Sequence, residues 1–224
     1  FYGAMDTLFH LKPAYPAINF EPYYTGWKHE INKPGGETPP PNSDRDNYFA
    51  RAQMYGSVLS GGLSGHVHGT AAYDITSTGE PSGSRPHIWD AVRYESGKQM
   101  QHLRSFMLSE GARYQELEPY HHHLHPQKSK TSAVRGLDRW SFMMINPAKD
   151  FALLYFENKA ELPTISGLKN NTSYSFQWFD PVKGEWKEAQ NIKSDKKGNL
   201  TLPNFPDGSA LSSSDWGAKI LEKR

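Results

Sequence analysis

The sequence predicts an α/β first half, residues 1–117, followed by a small antiparallel β-sandwich over residues 118–224. In the first half, strand-like segments alternate with helical patterns, and this alternation indicates a parallel sheet with right-handed crossovers. In the second half, short aromatic and aliphatic runs predict strands at residues 141–145, 151–156 and 174–179. Such runs recur about every ten to twenty residues between turn signals, as in a sandwich. We place the boundary at the start of the segment from Leu117 to His125.

The first strand-like segment ends on a carboxylate that is closely followed by aromatic residues. Its apolar run stops at Glu21, and Pro22 prevents regular continuation. Three aromatic residues follow closely: Tyr23, Tyr24 and Trp27. A carboxylate at the C-terminal end of a barrel strand, rimmed by aromatic side chains, is a common arrangement for attacking a glycosidic bond. The alternative is a strand-end glutamate that bonds only to a backbone amide or an arginine.

Two helices are predicted in the first half. An apolar stripe with helical spacing predicts the first, and its members are Tyr48, Ala52, Tyr55 and Leu59. Ser43 and Asp44 precede this stripe and are available as caps. A second stripe predicts a helix from Gly97 to Leu108. The proline- and glycine-rich residues 31–47 cannot form regular structure and predict a long loop.

Residues 63–69 are compatible with a brief inner strand that contains two histidines. His66 and His68 lie two positions apart, so both side chains point to the same face of a strand. Because this segment and the Glu21 segment would be successive strands, their C-terminal ends would share one face. Glycoside hydrolysis needs two carboxyl groups, and no second carboxylate of the chain occurs in a comparable setting. We expect it on an earlier strand.

Four histidines lie beside the predicted domain boundary: His121, His122, His123 and His125. In an extended segment, the first, third and last of them would share a face and could hold a surface zinc ion. A polar interdomain linker is the interpretation we favour for such a compositional tract. The sequence also offers no third ligand near His66 and His68. We therefore predict no metal site.

Composition narrows the classes of function. The net charge of +1 provides no field that would steer nucleic acid or a membrane surface. No apolar run approaches the roughly 20 residues of a membrane span, and the lack of cysteine excludes disulfides and thiolate metal sites. Neither a nucleophile elbow nor a phosphate- or dinucleotide-binding loop occurs. We expect no cofactor, no nucleic-acid partner and no membrane span.

Several motifs resemble the apiosidase-like glycoside hydrolases. The most specific are the Glu-Pro-Tyr strand end at residues 21–23, the Gly-His-Val-His-Gly strand at 65–69, and the Trp-Phe-Asp-Pro-Val-Lys-Gly turn at 178–184. The resemblance runs over nearly the whole chain. It implies the C-terminal part of a (β/α)8 barrel followed by the family's C-terminal β-domain, which has a collagen-binding label. Nothing in residues 118–224 indicates collagen recognition.

Through this resemblance, Glu21 matches the carboxylate at the end of the seventh barrel strand, one of the family's catalytic pair. His66 and His68 match the eighth-strand motif that lines the pocket, although the family often has tyrosine in place of His68. The other catalytic carboxylate belongs to the fourth-strand region, which has no counterpart here. An N-terminal portion of the polypeptide, or a companion chain, is therefore expected as a partner.

The resemblance further implies a bacterial glycosidase that acts on plant or algal polysaccharides or oligosaccharides, in the periplasm or after secretion. The residues expected to bind sugar are Tyr23, Tyr24, Trp27, His66 and His68. A non-catalytic carbohydrate-binding or structural module is the alternative from a different class. In that case the aromatic loops and the sandwich would form a platform for glycans.

Overall fold

The computed structural model describes residues 2–13, 15, 17–26, 39–70, 87–129 and 137–223. Within these ranges the α-helices are α1 (Tyr2–His10), α2 (Asp44–Leu59), α3 (Ile88–Ala91) and α4 (Glu95–Met107). Two 3-10 helices follow, at Gly111–Glu116 and His121–His123. Among the helices of these ranges, none has the length and apolarity to cross a membrane.

The strands of the second half form two antiparallel sheets. They are β1 (Glu118–Pro119), β2 (Leu124–His125), β3 (Ser141–Ile145), β4 (Phe151–Phe156), β5 (Thr164–Ile165), β6 (Ser173–Asp180), β7 (Glu185–Trp186), β8 (Gln190–Lys193), β9 (Leu200–Thr201) and β10 (Trp216–Glu222). One sheet has the order β1-β3-β4-β10-β6-β7, with β8 also paired to β6, and the other has the order β2-β5-β9. The predicted antiparallel character is confirmed.

The larger sheet is covered on both faces. Along β4, the odd-numbered side chains belong to a core cluster that includes residues of α2 and α4. The even-numbered side chains belong to a second cluster, which includes residues of the three-stranded sheet. All six residues of β4 are buried, so its apolar run is continuous instead of alternating.

Aromatic contacts join the helices to this sheet. Tyr55 of α2 stacks on Tyr155 of β4 with ring centroids 4.7 Å apart. Phe106 of α4 packs against Phe179 of β6 at 5.3 Å. Residues of both predicted domains therefore contribute to one core, and the boundary between residues 117 and 118 stays a prediction.

The first half contains the expected pair of parallel segments. Asn19 pairs with His66 and Thr25 pairs with Thr70, both in parallel, as isolated bridges. Helix α2 lies between the two segments in the chain, which is the connection that parallel pairing requires. The described fold is thus mostly antiparallel sheet with a few helices and one short parallel pairing. The (β/α)8 barrel and the sandwich stay predictions.

Helix α2 begins earlier than predicted, because residues 44–47 of the predicted loop form its first turn. Ser43 is the N-cap, and its Oγ accepts a hydrogen bond from the Asp46 amide at 3.3 Å. The predicted single apolar stripe is too narrow, because residues around nearly the whole circumference of α2 are buried. The helix lies between the parallel segments and the large sheet, so it needs an apolar surface on more than one side.

Candidate functional site

Glu21 ends the first extended segment, where Asn19 fixes the backbone. The Glu21 amide donates to Asn19 Oδ1 at 3.2 Å, which is the side-chain turn that asparagine favours. Asn19 is buried, and its Nδ2 donates to Ser57 Oγ of α2 at 3.1 Å. The Glu21 side chain is exposed, and within the described ranges its carboxylate has no hydrogen bond or ion pair. Glu21 therefore has a fixed backbone and an accessible carboxylate.

Asp46 of α2 anchors the turn that follows Glu21. Its carboxylate accepts hydrogen bonds from the Tyr23 hydroxyl at 2.5 Å and from the Gly26 amide at 3.0 Å. Burial raises the pKa of Asp46, and these hydrogen bonds lower it in part. Burial and the nearby carboxylate raise the pKa of Tyr23. The Tyr23 ring, 4% exposed, packs edge-on against Phe49, so this aromatic residue joins the turn to α2.

Tyr24 packs against the second extended segment. A Cβ added to Gly69 would lie 2.3 Å from the Tyr24 ring. The ring therefore lies directly on the backbone of Gly69, a close approach that only glycine allows. This contact explains the second glycine of the Gly-His-Val-His-Gly motif. For Tyr23 and Tyr24, both buried, sugar binding stays a prediction, and Trp27 lies outside the described residues.

His66 and His68 are half-buried neighbours on the second segment. Burial lowers the pKa of His66 to about 4, with a further contribution from the nearby His68. Burial also lowers the pKa of His68. Both imidazoles are therefore neutral at pH 7, and each offers one donor and one acceptor nitrogen. Nδ1 of His66 is buried and has no hydrogen-bond partner within the part of the chain that the structure describes.

Several polar residues that the sequence analysis did not single out attach α4 to this site. Thr25 Oγ1 lies 3.1 Å from Ser96 Oγ, and both residues are buried. The Ser96 amide donates to Asn47 Oδ1 of α2 at 3.0 Å. Because the N-cap of α4 provides no side-chain acceptor, Asn47 satisfies an amide of its first turn. Nothing in the local sequence marks Thr25, Asn47 or Ser96 as part of a site. Asn19, described above, could have been selected, because it lies two residues before a strand-end carboxylate.

A buried ion pair joins α2 to the segment before β10. Arg51 donates from Nε and Nη2 to the two carboxylate oxygens of Asp215, at 3.0 and 2.8 Å, and from Nη1 to Gln99 at 2.8 Å. The Tyr155 hydroxyl also donates to Asp215, at 2.9 Å. Burial disfavours the Arg51 charge, but Asp215 outweighs burial and raises the Arg51 pKa. The Arg51–Asp215 pair lines a cleft of about 560 Å³. The hydrogen bonds of the pair named above are all made to other side chains of the protein.

The turn at residues 180–184 lies against α4. Asp180 Oδ1 accepts hydrogen bonds from the amides of Val182 and Lys183, at 3.0 and 3.1 Å. His102 Nδ1 of α4 lies 3.0 Å from the Pro181 carbonyl oxygen. The Trp-Phe-Asp-Pro-Val-Lys-Gly motif at residues 178–184 therefore forms a contact between α4 and the large sheet.

The histidine cluster is not extended. The first three histidines form a 3-10 turn, His121–His123, so the shared face considered for an extended segment is wrong. His121 is buried and His122 is exposed. His123 Nδ1 and His125 Nε2 lie 3.2 and 3.0 Å from Ser166 Oγ. The cluster thus divides into two pairs with different surroundings.

One family model and several solved structures match the chain. The model of the apiosidase-like catalytic domain matches residues 2–113. The structure is similar to a solved glycoside hydrolase, with a TM-score of 0.74, 16% identity, and coverage of 99% of this chain and 46% of that one. It is also similar to a glycoside hydrolase family 5 structure from Bacteroides vulgatus ATCC 8482, with a TM-score of 0.70, 18% identity, and coverage of 98% and 44%. No curated protein matches the chain.

The chain spans less than half the length of either solved structure. At such identities the likeness is one of fold, and fold alone does not establish an activity. The match to the family model is different in kind, because it extends from residue 2 to residue 113 and so covers half of the sequence. The predicted resemblance is confirmed, and the chain belongs to the apiosidase-like family.

Proposed function

We propose that the chain is the C-terminal portion of a glycoside hydrolase and that Glu21 is one of two catalytic carboxylates. One observation carries the proposal. An accessible carboxylate, on a backbone fixed by Asn19, ends a segment that pairs in parallel with the segment of His66 and His68. Family membership and the fold of two solved glycoside hydrolases support this class of reaction.

The proposed chemistry needs a second carboxyl group from an N-terminal portion of the polypeptide or from a companion chain. At a separation of about 5–5.5 Å, Glu21 would attack the anomeric carbon while the partner protonates the leaving oxygen, which gives a glycosyl-enzyme ester. Water, deprotonated by the partner, would then displace Glu21 from this ester, and the configuration would be retained overall. At about 6.5–9.5 Å, Glu21 would take a proton from a water that attacks the opposite face, and configuration would be inverted. Either role requires the accessible side chain that Glu21 has.

We propose that the neutral imidazoles of His66 and His68 bind sugar hydroxyls. The unpartnered Nδ1 of His66 favours this role, because a buried nitrogen without a partner gains from a ligand hydrogen bond. We also propose that Tyr23, Tyr24 and Trp27 bind sugar; the Tyr23 hydroxyl is held by Asp46. We further propose plant or algal polysaccharides or oligosaccharides as substrates and a periplasmic or secreted location.

The test uses the complete enzyme that contains this chain and a panel of aryl glycosides. Glu21→Gln should lower kcat by at least about a thousandfold, because the amide can neither attack nor accept a proton. The exposed Glu188 offers a matched control, and Glu188→Gln should leave kcat unchanged. If the unmodified enzyme is retaining, restoration of turnover of Glu21→Ala by azide with formation of a glycosyl azide of inverted configuration would identify Glu21 as the nucleophile, whereas an azide of retained configuration would make it the acid/base residue. Near-normal kcat for a folded Glu21→Gln enzyme would remove Glu21 from the mechanism.

A non-catalytic glycan platform remains a second candidate, because three large aromatic side chains of the first half are exposed. Tyr15, Phe20 and Trp89 are 55%, 70% and 46% exposed, and such rings suit stacking on sugar faces. This candidate predicts that Phe20→Ala and Trp89→Ala abolish retention on polysaccharide gels, whereas Glu21→Gln does not. Turnover of any glycoside by the complete protein, lost in Glu21→Gln, would count against it.

A further inference from the structure

Three potential metal ligands converge where α1 meets the His121–His123 turn. His121 Nε2 lies 3.6 Å from Asp6 Oδ1, and His122 Nε2 lies 3.4 Å from Asp6 Oδ2. The ligand atoms of the three residues all lie within 4.8 Å of one another. We propose that Asp6, His121 and His122 form a zinc site, which we name the α1–histidine site. It does not depend on the proposed glycosidase activity.

The separations between these atoms suit a zinc ion. Zinc binds imidazole nitrogen and carboxylate oxygen at about 2.0–2.2 Å, so tetrahedral ligands are about 3.3–3.5 Å apart. The nitrogen-to-oxygen distances of 3.4 and 3.6 Å are close to this value. The two distances end on different oxygens of Asp6, so an ion between the three side chains would need rotation of the carboxylate and the rings to bring the ligand atoms, all within 4.8 Å of one another, to tetrahedral spacing.

An unsatisfied oxygen marks the centre of the site. Asp6 Oδ1 is buried and has no hydrogen-bond donor within the described ranges. The two nearest imidazole nitrogens, His10 Nδ1 and His121 Nε2, lie at ion-pair distances of 3.4 and 3.6 Å. A buried carboxylate oxygen without a donor is costly. A bound cation would remove this cost, and it explains why the carboxylate faces nitrogen atoms that can act as ligands.

The donor set selects the metal and limits its affinity. Two imidazoles and one carboxylate favour zinc over magnesium or calcium, which prefer all-oxygen sites. His122 is 67% exposed, so water has access to the fourth position. Nδ1 of His121 has no acceptor among the described residues, and histidine ligands bind more weakly without that support. We therefore expect a dissociation constant of order 1–10 µM.

The position of the site indicates a structural role. Asp6 belongs to α1, whereas the two histidines lie just before β2, so the ion would join α1 of the first half to the start of the second half. Zinc bound only by the folded state raises the melting temperature. At zinc a hundredfold above the dissociation constant, the increase should be about 5–10 °C for a domain of this size.

The test measures zinc binding to the chain by calorimetry and by elemental analysis after dialysis. We expect one zinc per chain and a rise in Tm that millimolar magnesium or calcium does not reproduce. Asp6→Asn keeps the side-chain volume and should weaken zinc binding at least about tenfold. His122→Gln changes an exposed side chain, so it should preserve the fold and have the same effect. Cobalt(II) in the unmodified chain should give the intense visible absorption of a tetrahedral site.

The matched control comes from the same histidine tract. His123 and His125 contact Ser166 and lie outside the proposed site. The double variant His123→Ala/His125→Ala should keep its zinc affinity within about threefold, by the usual tolerance for sites that share no ligand. Two results would overturn the proposal. One is no stoichiometric zinc binding at 100-fold above the expected dissociation constant. The other is binding that survives Asp6→Asn but disappears in the double variant.

Discussion

Replacing Asp215 by asparagine should lower the free energy of unfolding by about 3–5 kcal/mol, because it leaves the Arg51 charge buried without a counter-charge. The Arg51 and Asp215 side chains are only 6% and 1% exposed, so water in the adjoining cleft can replace little of the lost carboxylate. Gln99 remains as an acceptor for one guanidinium nitrogen, but it carries no charge. The substitution keeps side-chain volume nearly constant, so packing contributes little to the effect.

The assay is thermal unfolding followed by calorimetry. At about 2.1 cal/mol/K per residue, a cooperative unit of this length has an unfolding entropy near 0.5 kcal/mol/K. The expected loss in Tm is therefore about 6–11 °C. The Lys98–Glu95 pair is the matched control, since its side chains are 61% and 49% exposed. Glu95→Gln should change stability by no more than about 0.5 kcal/mol.

A double substitution separates the ion pair from packing. Arg51→Met combined with Asp215→Leu removes both charges and should be more stable than either single variant, because no unpaired charge remains. The reasoning is refuted if Asp215→Asn changes stability by less than about 1 kcal/mol, or if the two single effects add without coupling.

Three further outcomes are expected. Gly69→Ala should cost about 1–3 kcal/mol in urea unfolding, because its Cβ would lie 2.3 Å from a tyrosine ring, whereas Gly3→Ala meets no atom within 4 Å and should not destabilise. Because burial lowers the His66 pKa to about 4, the unfolded chain binds the proton more readily, so stability should fall by about 2 kcal/mol as pH drops from 6.5 to 4, and His66→Gln should flatten this profile. Asn19→Ala should lower kcat of the complete enzyme about tenfold with little change in KM, because it frees the Glu21 backbone. An unchanged kcat would show that the Asn19 turn does not position Glu21.

Strands with purely local signals were predicted well. The predicted strands at residues 141–145 and 151–156 agree with β3 and β4 to the residue, because each is a continuous apolar run between turn signals. Strand β10 was missed, although it lies at the centre of the large sheet between β4 and β6. Its sequence contains residues with poor strand propensity, and only their tertiary contacts explain them.

Two residues of β10 illustrate these contacts. A Cβ at Gly217 would lie 2.8 Å from the Phe106 ring of α4, so glycine is required by a helix distant in sequence. Lys219 is 8% exposed, and its Nζ donates to Glu110 at 2.7 Å. Lysine side chains are rarely buried, so the sequence alone does not predict this one in a central strand; the contact with Glu110 accounts for its burial.

The candidate site was also predictable only where the signals are local in sequence. The helix between Glu21 and the two histidines was evident, and it implied that their segments pair in parallel. Asp46 could not be assigned, because its role depends on amides and a hydroxyl from another segment. The extended arrangement of the histidine cluster was wrong, because the first three histidines form a 3-10 turn. His121 lies beside Asp6 of α1 in this turn, and no local pattern connects the two residues.

The sheet with two buried faces has a consequence for how this chain can evolve. A β-domain that follows a catalytic domain is often thought of as a removable module. Here, cutting the chain between residues 117 and 118 would uncover one aromatic face of that sheet, including Phe142 and Tyr155, and such surfaces promote association. The C-terminal part therefore cannot be separated from the helices without exposing this face of the sheet. A transfer that keeps this face covered would have to retain α2 and α4, and also α1, whose Tyr2 packs edge-on against Phe142.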